Sequence, residues 1–206
     1  MVTVREPVLH PVPIADLRPT QITVGMREVR AKQKSWETQD AKKKADFLSR
    51  HMIPVIRGPK DQCYVIDHHH LSLALHNEGV KSVLVVITSD LHTLADDEFW
   101  VFLDNRALVH PYDGKGRRCG YDEIPRRISD LKDDPFRSLA GELRRTGGFG
   151  KDTTPFSEFL WADFLRRRMS RSLVKDDFPK ALKEAMKLAK SDEGSHLPGW
   201  CGPHAD

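Results

Sequence analysis

A short run of strand-forming residues, Tyr64–Val65–Ile66, stops at Asp67. Three consecutive histidines follow, His68, His69 and His70, before Leu71, Ala74 and Leu75 take up helical spacing. The change of period, from two residues to 3.6, predicts a strand that delivers an acid and three imidazoles to the start of a helix. Gly79 is the stop signal of that helix. A helix start carries unpaired backbone N–H groups and the positive end of the peptide dipoles, which favours an anion. Histidine placed there can donate to phosphate, carry a proton or hold a metal. Successive helical residues are about 100° apart, so three adjacent histidines cannot converge on one small ion. At most two share a site with Asp67. No i, i+4 zinc pair is present, although His76 follows six residues after His70. The plainer alternative makes Asp67 an N-cap and the histidines partly exposed residues of a first turn.

The neighbouring segments predict a small sheet around this junction. Residues 8–17 mix β-branched residues with Pro11 and Pro13, as an edge strand or extended arm does. Residues 53–56 and 63–66 read as a strand pair joined by the turn Gly58–Pro59–Lys60–Asp61. Residues 28–52 are helix-compatible, and the apolar run 83–87 reads as a strand buried on both faces. Beyond Asp90 the pattern turns helical, over residues 96–106, 122–131, 135–146, 155–169 and 177–190. Asp134–Pro135, Thr154–Pro155 and Asp177–Phe178–Pro179 each place a capping residue by a first-turn proline. The fold class expected is α+β: a small mixed sheet with helices over residues 1–114, then a helical layer over residues 115–206 packed on that core.

Composition narrows the setting. Of 206 residues, 39% are hydrophobic and 31% charged, which suits a globular chain and not wholesale disorder. No apolar run approaches the ~20 residues of a membrane helix. Arg5, Glu6 and early prolines interrupt the N-terminus where a secretory signal would be apolar. Three widely spaced cysteines, Cys63, Cys119 and Cys201, do not make a disulfide framework. A cytoplasmic protein without a membrane partner is expected. The net charge of +3 hides an asymmetry: residues 115–171 hold 14 Lys and Arg against 9 Asp and Glu, while residues 1–114 hold 14 against 15. The excess comes as Arg117–Arg118, Arg126–Arg127, Arg144–Arg145 and Arg166–Arg167–Arg168. Arginine forks suit phosphate, although solvated faces paired to Glu142, Glu158 and Asp163 give the same pattern.

Other candidates are weaker. The segment Gly147–Gly148–Phe149–Gly150–Lys151 lacks the first glycine of a phosphate loop and has Asp152 where Ser or Thr should follow the lysine. Lys115, Arg117 and Arg118 stand on a glycine-punctuated loop that can clamp a phosphate chain. Trp161, Phe156, Phe159, Phe164 and Leu165 follow one helical face, which is core packing.

A strand ending in Asp, followed by paired histidines and an Ala-containing helix, resembles the ParB/sulfiredoxin superfamily, and the chain is similar to its ParB-like nuclease branch. Leu17–Arg18–Pro19–Thr20–Gln21, Ile53–Pro54–Val55, Phe99–Trp100 and His110–Pro111–Tyr112–Asp113 share the likeness. So do Asp134–Pro135–Phe136–Arg137–Ser138–Leu139–Ala140, Glu158–Phe159, Trp161–Ala162–Asp163–Phe164–Leu165–Arg166 and Leu197–Pro198–Gly199. Two positions depart from it: His68 stands where many relatives have Gly, and Leu71 where they have Arg.

The resemblance implies a nuclease or nucleotide phosphohydrolase acting on phosphate esters of DNA or nucleotides. Asp67, His69 and His70 are the expected catalytic residues. Gln21, Thr23, His68, Lys115, Arg117, Arg118 and Arg137 are the expected phosphate or nucleotide contacts. Mg²⁺ or Mn²⁺, and ATP or ADP, are the cofactors expected, and a nucleotide or nucleic acid is the partner. A small-metabolite kinase and a non-catalytic nucleic-acid-binding module are the alternatives, because the superfamily carries several chemistries on one fold.

Overall fold

The structure, a computed structural model, describes residues 10–203. Val8 and Leu9 of the expected first strand, and the N-terminal residues read against a secretory signal, lie outside the described residues. The chain is mixed α+β, with eight α-helices and seven strands among the described residues. No helix among them is long and apolar enough to cross a membrane. Contacts cluster into two compact units. Of the described residues, the first gathers those up to Ile22, Val29–Pro111 and Gly120–Leu131; the second gathers Thr23–Glu28, Tyr112–Cys119 and those from Lys132 on.

The first unit is built on a five-stranded mixed sheet. Its strands are β1 (His10–Pro13), β2 (Arg18–Pro19), β4 (Ile53–Arg57), β5 (Cys63–Val65) and β6 (Ser82–Asp90), in the spatial order β1-β6-β4-β5-β2. β1 lies at one edge, the place where Pro11 and Pro13 cost no central ladder bonds. β4 and β5 are antiparallel with Val55 opposite Val65, and β2 runs parallel to β5 with Arg18 opposite Tyr64. Val83 and Val85 of β6 are buried while Leu84, Val86 and Ile87 are half-buried, so the strand buries one face and not both. Residues 28–52 divide into α1 (Met26–Glu37) and α2 (Ala41–Arg50), because Asp40 caps a new helix by accepting from the Lys43 N–H. α3 (His69–Asn77) and α4 (Asp96–Asn105) complete the unit's α-helices. The helix expected over 122–131 is instead two single 3₁₀ turns, Tyr121–Glu123 and Ile128–Asp130, with Pro125 between them.

The second unit pairs β3 (Thr23–Val24) in parallel with β7 (Lys132–Asp133) and stacks α5 (Pro135–Arg145), α6 (Ser157–Arg166), α7 (Arg171–Asp176) and α8 (Phe178–Ala189). Asp134 caps α5 ahead of Pro135, and Asp177 caps α8 ahead of Pro179, as the sequence grammar predicts. Thr154–Pro155 does not cap α6. That helix starts at Ser157, after Phe156 takes a left-handed turn at φ 57°. Trp161 is fully buried at the centre, stacked on Phe149 at 4.4 Å, and its indole N–H donates to the Pro198 carbonyl at 2.8 Å.

Gly58 follows β4 where the Tyr64 and Phe99 rings meet with centroids 4.5 Å apart. A Cβ at Gly58 would stand 2.7 Å from carbons of both rings. Its φ of −108° is open to any residue, so ring clearance and not backbone conformation demands glycine there. Gly58→Ala should therefore destabilise the protein by about 1–3 kcal/mol, the usual cost of overpacking. A lower midpoint in chemical denaturation at unchanged slope is the expected readout.

Candidate functional site

Val65 ends β5, Ile66 and Asp67 lead out of the sheet, and His68 turns the chain into α3 in the left-handed conformation, φ 66° and ψ 23°. His68, not Asp67, is the N-cap residue, and its side chain does not cap the helix. Asp67 instead accepts from the backbone N–H of His68 at 2.6 Å, which holds the turn. A left-handed cap is the conformation glycine takes most readily. Histidine takes the same backbone path at a cost in strain. Asp67 and His68 are exposed, whereas His69 and His70 are buried in the first turn of α3. Leu71 is also buried.

His69 is tied on both sides. Its Nε2 accepts from the Thr20 backbone N–H at 3.1 Å, so the ring proton is on Nδ1. The ring also hydrogen-bonds the Val65 carbonyl, which accepts from the Thr20 hydroxyl at 2.8 Å as well. Burial, against the pull of Asp67, brings its pKa down from 6.5 to about 3. A neutral imidazole with both nitrogens engaged by backbone is a positioning residue. In this structure the ring therefore serves to fasten the start of α3. Thr20, which makes this tie possible, was not singled out as a site residue in the sequence; its place in the strand–loop motif beside Gln21 was the only signal.

Gln21 is buried and bridges in parallel to His110. Asp67, the three histidines and Gln21 thus share the first unit. The other expected contacts belong to the second unit. Thr23 is buried on β3. Arg137 is buried and paired to Glu158 and, at 3.7 Å, to Glu28, while Arg144 reaches Glu158 at 2.6 Å. Arg117 returns its guanidinium to Asp113 at 3.0 and 3.1 Å, and the same carboxylate accepts the Lys115 and Arg117 N–H groups. These bonds, led by the backbone donors once burial is overcome, hold the Asp113 pKa below the usual carboxylate value. Lys115 and Arg118 are exposed. Arg137 is thus an internal counter-ion in this structure, and Arg117 braces its own loop.

Two outcomes follow. The His69 pKa is lowered, so the unfolded chain takes up this proton first. The stability from the neutral ring is complete above about pH 6.5 and is lost as pH falls toward 3. His69→Gln, which keeps an acceptor for Thr20 but does not titrate, should remove up to about 1.4 kcal/mol per pH unit of slope in that window. Denaturant titrations of both proteins at several pH values measure it. Arg137→Ala leaves Glu158 and Glu28 half-buried without their shared cation and should cost about 3 kcal/mol, whereas Arg117→Ala should cost under about 1 kcal/mol.

The profile of the family described as "Putative ParB-like nuclease" matches residues 10–167. Among solved structures, the crystal structure of protein Atu1540 from Agrobacterium tumefaciens is 54% identical, with a TM-score of 0.92 over 98% of this chain and 100% of that one. No curated protein matches.

Proposed function

We propose that this chain, which belongs to the ParB-like nuclease family, binds the phosphate of a nucleotide or nucleic-acid ester at the start of α3 and hydrolyses it there. The observation that carries the reading is the junction itself. A left-handed turn held by Asp67 opens α3, and the His68 side chain does not close the helix end. That end offers backbone donors and the positive end of the helix dipole to an anion. His70, one residue into the first turn, is the candidate to give or take a proton at the ester oxygen, since His69 is held by Thr20 and Val65. His68, exposed beside it, adds an imidazole N–H donor.

Among the described residues no three His, Cys, Asp or Glu side chains gather as a metal site. Asp67 would lend one carboxylate at most, so Mg²⁺ or Mn²⁺ would have to arrive held mainly by phosphate oxygens and water. The residues do not fit a dedicated metal centre, and the proton roles above stand without one.

Thermal-shift and calorimetric titrations with ATP, ADP and a short duplex, each with and without Mg²⁺ or Mn²⁺, test the reading, followed by phosphate-release and cleavage assays. A ligand that binds only the folded state raises its melting temperature with concentration. Turnover that falls at least 100-fold in His70→Ala, with an unchanged melting profile, is the expected result. Salt-sensitive duplex binding without turnover would replace hydrolysis by a binding module, because backbone phosphate contacts weaken with salt. Silence with every ligand would remove the phosphate site altogether.

A further inference from the structure

We infer that a cavity beside this junction takes the unpaired base of the nucleotide whose phosphate lies on α3; the inference rests on the phosphate reading above and adds the substrate class. The cavity encloses about 390 Å³ and is lined entirely by residues of the first unit, within the size range of small-molecule sites. One wall is the half-buried indole of Trp100, with Tyr121 stacked parallel at 5.9 Å and Tyr64 edge-on at 5.4 Å. Tyr121 is pinned through its hydroxyl, which donates to Asp104 at 2.6 Å. An indole braced on two sides and still partly exposed is a platform on which any base can stack.

The polar wall sets which end of a nucleotide enters. Lys60 is paired to Asp96 at 2.9 Å, and Arg18 donates to the Gln62 amide at 2.8 Å. Asp97 and Asp122, both exposed, line the same cavity. Arg126 lines it too, so with Arg18, Lys60 and Asp96 the cations and acids balance and the cavity carries no net positive charge to draw in a phosphate, while its carboxylates accept hydrogen bonds from the N–H donors of a base. The path to the phosphate is short. Tyr64 and Arg18 are register partners lining the cavity, Asp67 comes three residues after the first, and Thr20, bonded to His69, two after the second. Three extended residues cover about 10 Å. A base inside a duplex is stacked and paired and cannot enter. A free nucleotide or a single strand can.

The test compares affinities of AMP, ribose 5-phosphate, adenosine, a short single strand and the matching duplex for the full chain, by calorimetry. AMP should bind at least ten-fold tighter than ribose 5-phosphate. Trp100→Ala should bring AMP down to the ribose 5-phosphate value, and Trp100→Phe should keep most of the difference. A single strand that outcompetes its duplex identifies an oligonucleotide as the source of the base, and AMP binding alone identifies a free nucleotide. Equal affinities of AMP and ribose 5-phosphate, an unchanged AMP preference in Trp100→Ala, or a duplex equal to the single strand overturns the inference. Should Trp100→Ala lose its cooperative melt, the wild-type comparison and Trp100→Phe decide. If no phosphorylated ligand binds, the phosphate reading fails separately. Adenosine binding that is lost in Trp100→Ala then keeps the cavity, and absence of adenosine binding removes it.

Discussion

A neutral imidazole ties the segment that runs from β5 into α3 to the loop that follows β2, nearly fifty residues earlier in the chain. His69 sits in the first turn of α3, Thr20 just beyond β2, and Val65 at the end of β5. The ring accepts from the Thr20 N–H, and the Thr20 hydroxyl closes the triangle on the Val65 carbonyl. In a buried site each of these bonds is strong, and a broken one leaves an unpaired polar group. The tie also requires that the ring stay uncharged, since a second ring proton would face the Thr20 N–H. Burial supplies that condition by disfavouring imidazolium. The direction in which α3 leaves the sheet, and with it the place of His70 and of the helix end, is set by this one residue.

The second unit spends its charge differently. Arginine pairs that would suit a polyanion are largely met by acids of the same unit. Asp134, buried as the cap of α5, takes Arg166 at 2.5 Å, and Asp163 takes both Arg166 and Arg167 at 2.9 Å. Burial raises the Asp134 pKa, with Arg166 pulling the other way. Such pairs hold a helical cluster in register because removing either member strands the other. The excess of arginine over acid in residues 115–171 is therefore mainly a structural inventory, and Lys115 and Arg118 on the loop are among its outward-facing members.

Much of this was legible in the residues. The strand–Asp–His junction, the caps Asp134 and Asp177 and the core role of Trp161 follow from short-range rules, because period, capping chemistry and apolar spacing are local. The errors share a different cause. Residues 122–131 have helical composition, yet Pro125 leaves only two 3₁₀ turns. The run 83–87 is apolar throughout, but only Val83 and Val85 are fully buried. That His69 is held by Thr20, nearly fifty residues away in the chain, is likewise beyond local rules. Arg137 is of the residue type that suits phosphate, but its internal partner Glu28 lies more than a hundred residues earlier and only the fold brings the two together. Local grammar names the residue types; only tertiary partners decide whether a charged group is available.

The two departures at the junction act in opposite senses. His68 preserves the left-handed turn that glycine would take freely, because the Asp67 carboxylate fastens its N–H. The backbone path into the helix end survives, at the cost of a Cβ beside any approaching phosphate. Leu71 removes a guanidinium fork and leaves a buried apolar side chain in its place. The junction thus keeps its dipole and its histidines but lacks the permanent charge that holds a phosphate at every pH.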